Sequence, residues 1–372
     1  MRDFASPKEK WELFLSGQDV GPMVSPLCDD WSLDIPYHWP YDEPEPPSGR
    51  DYARRLNEQL AMAKICGYDP TFYYAADFIP KNLGAEPKHE IEEIEGGVRD
   101  SALIVTPYGD LTCVTEHKTT MRTLKHYLET RADLEKAIWY TRQCADYDEG
   151  LALKQCGEAR AAVKDKGMLG TWFTAPFFNL ENQENQFYHF ADWPDLAEEL
   201  FHASRALKHR QMETYAKGGF DYLFYCVSGT EWASPGFLRK WMLEETKELI
   251  GKWRDTGGFI LWHTCGHVKK LIEDGLYNEL RPDILETLSE PPVGNLPSLK
   301  WARERIDGAI ATKGNMPLNI MLNGTPEEVR MEVSRIREET RGYRHIVGLS
   351  DDIFHDTPLA NVLAMVEEAR RV

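Results

Sequence analysis

From residue 167 to the carboxyl terminus, short apolar segments alternate with segments of helical periodicity. This alternation predicts a parallel sheet whose strands are joined by helical crossovers. Because the unit repeats regularly, we expect an α/β fold, a closed (β/α)8 TIM barrel, with the active site at the carboxyl ends of the strands. The predicted strands are 168–174, 221–227, 259–263, 284–288, 309–313 and 345–349, and the predicted helices are 195–217, 236–256, 268–275, 299–306, 326–340 and 358–370.

The amino-terminal part of the chain adds elements before this repeat. Ser6 and Pro7 predict the start of a helix, because serine caps helices and proline suits their first turn. The other predicted elements are a helix over 51–66, a β excursion over about 88–121 and a long helical stretch over 131–164. We therefore expect residues 1–372 to form one barrel domain with amino-terminal insertions.

Residues 28–50 differ from the rest of the chain in composition, because CDDWSLDIPYHWPYDEPEPPSGR is rich in proline, aromatic and acidic residues. Such a segment is typical of an ordered, irregular loop. We expect a lid or a pocket wall here. The alternative is an exposed acidic linker, which leaves Trp31, Tyr37, Trp39 and Tyr41 unexplained.

The composition restricts the partners that the chain could have. A net charge of −18, from 61 acidic and 43 basic residues, is unfavourable for binding nucleic acid or anionic membranes. The sequence has no apolar run of about 18 residues and no signal-peptide pattern, so no membrane span is expected. The seven cysteines are scattered, which favours reduced thiols in a cytoplasmic protein. A homodimer is compatible with this composition.

The strongest candidate site follows the predicted strand 258–262, where the chain continues as His263-Thr264-Cys265-Gly266. In extended backbone, residues two apart project from the same face, so His263 and Cys265 point together at the mouth of the barrel. An imidazole and a thiolate placed in this way can share a zinc ion. The spacing alone is a weak signal, and the alternative is a buried cysteine beside a hydrogen-bonded histidine. The position at a strand end favours the metal.

Other polar residues also follow predicted strands. Asp351 and Asp352 come after the last strand and are candidates for a further metal ligand or an acid–base group. Glu231, Glu290 and Asn315 follow earlier strands. The alternative for each of them is a structural hydrogen bond to loop amides or a cap on the next helix.

Four segments together resemble the uroporphyrinogen decarboxylase-like superfamily, and within it the zinc- and cobalamin-dependent methyltransferases. They are FILWHTCG at 259–266, EPPVGN at 290–295, KGNMP at 313–317 followed by GTPEEV at 324–329, and HIVGLSDDI with DTPLANVLAMVEEAR within 345–370. The opening SPKEKWELFLSG is similar to the family's first helix, so the resemblance covers nearly the whole chain. It implies a barrel of the uroporphyrinogen decarboxylase type.

The chain departs from this family pattern in two places. The decarboxylase has an arginine-rich amino-terminal motif that binds substrate propionates, whereas residues 28–50 are acidic and aromatic, so a tetrapyrrole substrate is disfavoured. In the thiol-activating methyltransferases, a second cysteine after the last strand joins the histidine and cysteine of the H-x-C motif. The matching position here is Asp351, or Asp352 if the alignment shifts by one residue. The alternative is that the metal site is lost.

A carboxylate in place of that thiolate implies a zinc ion that acts as a Lewis acid toward oxygen. Together with the resemblance, it predicts an O-demethylase-type methyltransferase, which takes methyl from a small methoxylated, aromatic substrate. Its acceptor would be the Co(I) corrinoid of a partner protein, because this chain lacks a cobalamin-binding motif. The assigned residues are His263, Cys265 and Asp351 as zinc ligands, Glu231, Glu290 and Asp352 as catalytic groups, and Trp31, Trp39, Trp232 and Asn315 as substrate-binding residues.

Three alternative functions stay open. The same fold could transfer methyl from methylcobalamin to a thiol. A metal-free decarboxylase of the uroporphyrinogen decarboxylase type is the second alternative, and a non-catalytic binding barrel is the third. The histidine, cysteine and carboxylates at the strand ends argue against the last of these.

Overall fold

A computed structural model of the chain describes residues 4–27, 39–47, 51–82, 88–176, 183–227, 233–354 and 356–371, without the side chains of 183 and 184. By its internal contacts the chain divides into two compact units. The barrel unit comprises Met1–Ala75, Cys156–Phe173 and Gly218–Val372, and the second unit comprises Ala76–Gln155 and Thr174–Lys217. The organisation of the chain as a single domain stays a prediction.

The barrel unit is built on an eight-stranded parallel sheet, which confirms the α/β barrel fold predicted from the sequence. The strands of the chain are β1 (Met23–Val24), β2 (Thr71–Tyr73), β3 (Lys88–Ile94), β4 (Gly97–Ile104), β5 (Leu111–His117), β6 (Met121–Lys125), β7 (Met168–Thr174), β8 (Tyr222–Cys226), β9 (Phe259–His263), β10 (Ile284–Thr287), β11 (Ala311–Met316) and β12 (His345–Leu349). The parallel sheet has the order β1–β12–β11–β10–β9–β8–β7–β2. Its two end strands approach each other, because the N–H of Asp69 donates to the carbonyl oxygen of Val24 at 2.7 Å.

The helices agree with the sequence pattern over most of the repeat. They are α1 (Pro7–Leu15), α2 (Asp51–Cys66), α3 (Arg131–Cys144), α4 (Glu149–Val163), α5 (Gln183–Asp192), α6 (Pro194–Lys217), α7 (Pro235–Trp241), α8 (Leu243–Asp255), α9 (Lys269–Glu273), α10 (Leu276–Leu280), α11 (Leu299–Arg303), α12 (Leu318–Asn323), α13 (Pro326–Glu339) and α14 (Leu359–Arg370). The helical stretch predicted over 131–164 is helical over most of its length in the structure. It is divided into α3 and α4, because Asp146 and Asp148 form backbone hydrogen bonds with Lys81 and Ile79 instead of continuing a helix.

The amino end of the barrel is filled by apolar side chains. The Ser6 hydroxyl caps α1 by accepting a hydrogen bond from the N–H of Glu9, as predicted. The fully buried Trp11 of α1 stacks on Phe259 of β9, with ring centroids 6.3 Å apart. Trp11 and Phe14 belong to a buried apolar cluster that includes the first residues of β8, β9, β10 and β11.

The second unit contains an antiparallel sheet with the order β3–β4–β5–β6, in the region where the sequence predicted a β excursion. Its inner end packs on α3 through Ile104, Leu111 and Leu134, all of which are buried. Residues 28–38 and 48–50 of the predicted lid lie outside the described residues. Among the helices that the structure describes, none is long and apolar enough to cross a membrane.

Candidate active site

Three potential metal ligands meet at the carboxyl ends of the strands. His263 is the last residue of β9, Cys265 follows two residues later, and Asp351 lies just beyond β12. One donor atom from each lies within 4.8 Å of the other two. Nε2 of His263 is 3.6 Å from Oδ1 of Asp351. Gly266 turns the chain after Cys265 with a φ of +84°, a conformation that glycine adopts without strain.

Side chains from three adjacent strands form a buried row behind this group. The strand register places Glu286 opposite His263 and Lys313 opposite Glu286, so the three side chains project from one face of the sheet. The Glu286 carboxylate accepts a hydrogen bond from Nδ1 of His263 at 2.7 Å and another from Nζ of Lys313 at 2.7 Å. Each of the three side chains is at most 3% exposed.

The buried charges determine the protonation of this row. Burial alone would raise the pKa of the Glu286 carboxyl, but the Lys313 ammonium and the His263 ring hold it below its ordinary value. Burial acts to lower the pKa of His263, but hydrogen bonds to Cys265 and Glu286 raise it well above its ordinary value. Because the ionised Glu286 needs a donor, Nδ1 carries hydrogen and Nε2 faces Asp351. The surroundings therefore stabilise a positive charge on the His263 ring.

A cavity of about 510 Å³ lies beside Asp351 at the carboxyl ends of the strands. Trp172 of β7 forms one wall; its ring centroid is 5.9 Å from that of His263, and the residue is 46% exposed. The other described residues that line the cavity are Leu27, Tyr52, Arg55, Gln59, Tyr73, Tyr74, Ala75 and Asp352. Aromatic walls with a few polar groups are typical of a site for a small, flat molecule.

Two predicted site residues belong to a separate hydrogen-bond network. Oε1 of Glu290 accepts from Nδ2 of Asn315 at 3.1 Å and from the backbone N–H of Leu299 at 3.2 Å. Arg335 of α13 donates to both side chains, at 3.3 Å to Glu290 and 3.1 Å to Asn315. These contacts fit the structural alternative, and the catalytic role of Glu290 and the substrate-binding role of Asn315 stay predictions.

Of the three tryptophans that were predicted to form pocket walls, the structure describes only Trp39. Trp39 packs against Tyr41, with centroids 4.9 Å apart, and its indole N–H donates to the carbonyl oxygen of Glu43 at 2.9 Å. It does not line the cavity beside Asp351 in the described part of the chain, so its substrate-binding role stays a prediction. Trp31, Glu231 and Trp232 lie outside the described residues.

Sequence reasoning missed Glu286, Lys313 and Trp172. A signal for the first two was present, since each is the single charged residue of its strand segment, ILETL at 284–288 or AIATKGN at 309–315. Charged side chains are rarely buried without a partner, so two such strands predict an ion pair. Trp172 carried no comparable signal, because aromatic residues are common in buried strands.

The donor set of His263, Cys265 and Asp351 fits a zinc ion. Zinc binds nitrogen, sulfur and oxygen ligands at about 2.0–2.3 Å in tetrahedral geometry, so its ligand atoms lie about 3.3–3.8 Å apart. The 3.6 Å between Nε2 and Oδ1 falls in this range. A carboxylate behind the histidine, as Glu286 is here, typically fixes the tautomer of a metal-bound imidazole.

The fold is an α/β barrel with a candidate site at the carboxyl ends of its strands. Comparison with known proteins identifies the family to which this barrel belongs. The family model for uroporphyrinogen decarboxylase (URO-D) matches residues 173–372. Because this is more than half of the chain, the protein belongs to the uroporphyrinogen decarboxylase family. No curated protein matches the chain.

Solved structures are similar in fold. The chain is similar to a methyltransferase from Methanosarcina mazei, with 13% sequence identity over 98% of both chains and a TM-score of 0.62. It is also similar to a B12-independent methionine synthase from Shewanella sp. W3-18-1, with 12% identity, coverage of 93% of this chain and 96% of that chain, and a TM-score of 0.44. At such low identity, the likeness to the Methanosarcina protein shows the shared fold alone.

Proposed function

We propose that the chain is a zinc-dependent methyltransferase that takes methyl from a methoxylated aromatic substrate and transfers it to the Co(I) corrinoid of a partner protein. The observation that carries the proposal is the grouping of His263, Cys265 and Asp351 next to an aromatic-lined cavity. Membership of the uroporphyrinogen decarboxylase family and the fold shared with the Methanosarcina mazei methyltransferase support it.

The ligands favour an oxygen-containing substrate group. When bound, zinc would supply Lewis acidity toward the ether oxygen of the substrate. Asp351 contributes a carboxylate in place of a second thiolate. Because a carboxylate donates less electron density to zinc than a thiolate does, the metal would be the stronger Lewis acid, and the site suits an ether substrate better than a thiol. Glu286 contributes by holding His263 in the tautomer whose Nε2 is free to bind metal.

The other residues of the cavity would bind and protonate the substrate. The exposed face of Trp172 is placed to stack on an aromatic ring next to His263. During transfer, the methyl–oxygen bond breaks and its electron pair stays on oxygen, while Co(I) supplies the pair for the new bond to carbon. The phenolate then takes up a proton, which Asp352 could deliver from the same cavity.

Metal content and methyl transfer test this proposal together. The purified protein should contain zinc and should convert cob(I)alamin to methylcobalamin with 2-methoxyphenol as donor, followed by visible absorption. Cys265→Ala should lose both properties, whereas the control Cys156→Ala, which removes a buried thiol from α4, should keep both. Full transfer by a metal-free Cys265→Ala protein would overturn the zinc mechanism.

The same preparation separates the alternative functions. Methyl transfer from methylcobalamin to a thiol, but not to a phenol, would indicate a thiol methyltransferase. Family membership makes decarboxylation the second candidate. Release of carbon dioxide from a carboxylated substrate by a protein that binds no zinc would favour it.

A further inference from the structure

Two buried threonines connect the loop that carries Cys265 to the strand that carries Glu286. The Thr264 hydroxyl donates to the carbonyl oxygen of Glu286 at 2.6 Å. In the opposite direction, the Thr287 hydroxyl donates to the carbonyl oxygen of Thr264 at 2.6 Å, and it lies equally close to the carbonyl oxygen of Glu286. Thr264 and Thr287 are 3% and 1% exposed, so water does not compete for these bonds. We call this pair the threonine clamp.

The backbone of Thr287 is strained. Its φ is +71°, in the left-handed region that β-branched residues strongly avoid. Such a conformation is unfavourable and persists only where its surroundings impose it. Gly314, the residue opposite Thr287 on β11, leaves the necessary room, since a Cβ there would lie 2.4 Å from the carbonyl oxygen of Thr287.

We infer that Thr287 is a positioning residue of the proposed zinc site and acts through the backbone of Thr264. The carbonyl group of Thr264 belongs to the peptide that joins it to Cys265, so a hydrogen bond to this oxygen fixes the orientation of that peptide plane. The clamp thereby sets the direction of the Cys265 thiolate relative to Nε2 of His263. The inference rests on the proposed function, because it requires a metal at these ligands.

A hydroxyl-deletion series tests the role of Thr287. Thr287→Val keeps the β-branch and removes the hydroxyl, and it should weaken zinc binding about 10–100-fold, as loss of supporting hydrogen bonds typically does. Thr287→Ser keeps the hydroxyl and should bind zinc within about threefold of the unmodified protein. Zinc dissociation constants are measured by competition with a chromophoric chelator. In the cobalt-substituted protein, the sulfur-to-cobalt absorption band should change in Thr287→Val and return in Thr287→Ser.

Two further variants separate positioning from stability. Thr312→Val removes another buried threonine hydroxyl, which bonds to Nδ1 of His345 at 2.8 Å, and it should leave zinc affinity unchanged. If Thr287→Val does not fold, Thr287→Gly removes the hydroxyl while suiting the left-handed backbone. Thr287→Gly should then show the same loss of zinc affinity in a folded protein.

The outcomes distinguish this inference from the proposed function. Unchanged zinc affinity in a folded Thr287→Val or Thr287→Gly protein overturns the positioning role while leaving the zinc site in place. Failure of the unmodified protein to bind zinc contradicts the proposed function itself. A 10–100-fold loss that Thr287→Ser rescues supports both.

Discussion

Nδ1 of His263 and Oε1 of Glu286 lie 2.7 Å apart, between side chains that are 3% and 2% exposed. The contact keeps a hydrogen on Nδ1, because an ionised carboxylate only accepts. Nε2 is thereby directed toward Asp351, 3.6 Å away. Glu286 therefore belongs to the candidate active site, although it contributes no donor atom to the group of three ligands.

Replacing Glu286 with glutamine tests this relationship. The amide of Glu286→Gln is neutral and also donates, so it holds the Nδ1 hydrogen of His263 less firmly. We expect zinc affinity to fall about 10–100-fold, measured by chelator competition at constant pH. Glu245→Gln, which changes a buried carboxylate on α8, is the control and should bind zinc normally. Equal affinities of the two variants would contradict the role of Glu286.

Lys313 should matter for stability through Glu286. Lys313→Met removes the ammonium partner of the buried Glu286 carboxylate and leaves His263 as its remaining contact, and loss of one partner of a buried ion pair typically costs about 3–5 kcal/mol. Urea denaturation of the metal-free protein measures this change in the free energy of unfolding. The double variant Glu286→Gln/Lys313→Met should recover much of the stability, since neither charge is left unpaired, but not the zinc affinity. Simple addition of the two single effects would argue against a coupled pair.

Trp172 should determine how well an aromatic substrate binds. Trp172→Ala removes the exposed ring beside His263, so we expect the KM for a methoxylated aromatic substrate to rise about tenfold, the equivalent of about 1.4 kcal/mol. Zinc content should not change, and Trp172→Phe should restore much of the affinity. Trp301→Ala, which removes a tryptophan that packs against Arg305, is the control. A KM that is the same in both alanine variants would exclude Trp172 from the substrate site.

His345 should make the stability of the protein fall in mild acid. Its Nε2 donates to the carbonyl oxygen of Gly314 and its Nδ1 accepts from the Thr312 hydroxyl, each at 2.8 Å. Burial lowers the pKa of His345 to about 3, and the positive charges of Arg303 and Arg335 lower it further. The hydrogen bond to Gly314 acts in the opposite direction but is the weaker effect. The ring is therefore neutral in the folded protein at pH values where it is protonated in the unfolded chain.

The sign of the effect follows from these two pKa values. Because the folded value lies below the unfolded value of about 6.5, the neutral ring stabilises the fold above pH 6.5, and this contribution is lost as the pH falls toward 3. Between pH 7 and 5 the loss should be about 2 kcal/mol. Urea denaturation across this range should show a flatter pH dependence for His345→Gln, but not for a control variant of the exposed His117. Identical pH profiles of His345→Gln and the unmodified protein would contradict the prediction.

The sequence by itself determined the barrel and the first two candidate ligands. Alternating apolar and helical segments require a parallel sheet, and the strands β7, β9 and β12 begin and end where the pattern predicted. His263 and Cys265 share a face because the side-chain period of extended backbone is two, a property that needs no tertiary information. β2 escaped prediction because its three residues are too few to show a period.

Only the tertiary structure decided which residues surround that pair. Register between strands is set by packing across the sheet, and it is register that places Glu286 and Lys313 in one row with His263. The packing of α13 likewise brings Arg335 to Glu290, which in the sequence was equivalent to other strand-end carboxylates. Composition shows that aromatic residues are abundant, whereas the path of β7 decides that Trp172 lines the cavity. Local sequence patterns specify the backbone conformation and the face of a strand from which each side chain projects. Contacts between distant segments depend on how the strands align in three dimensions.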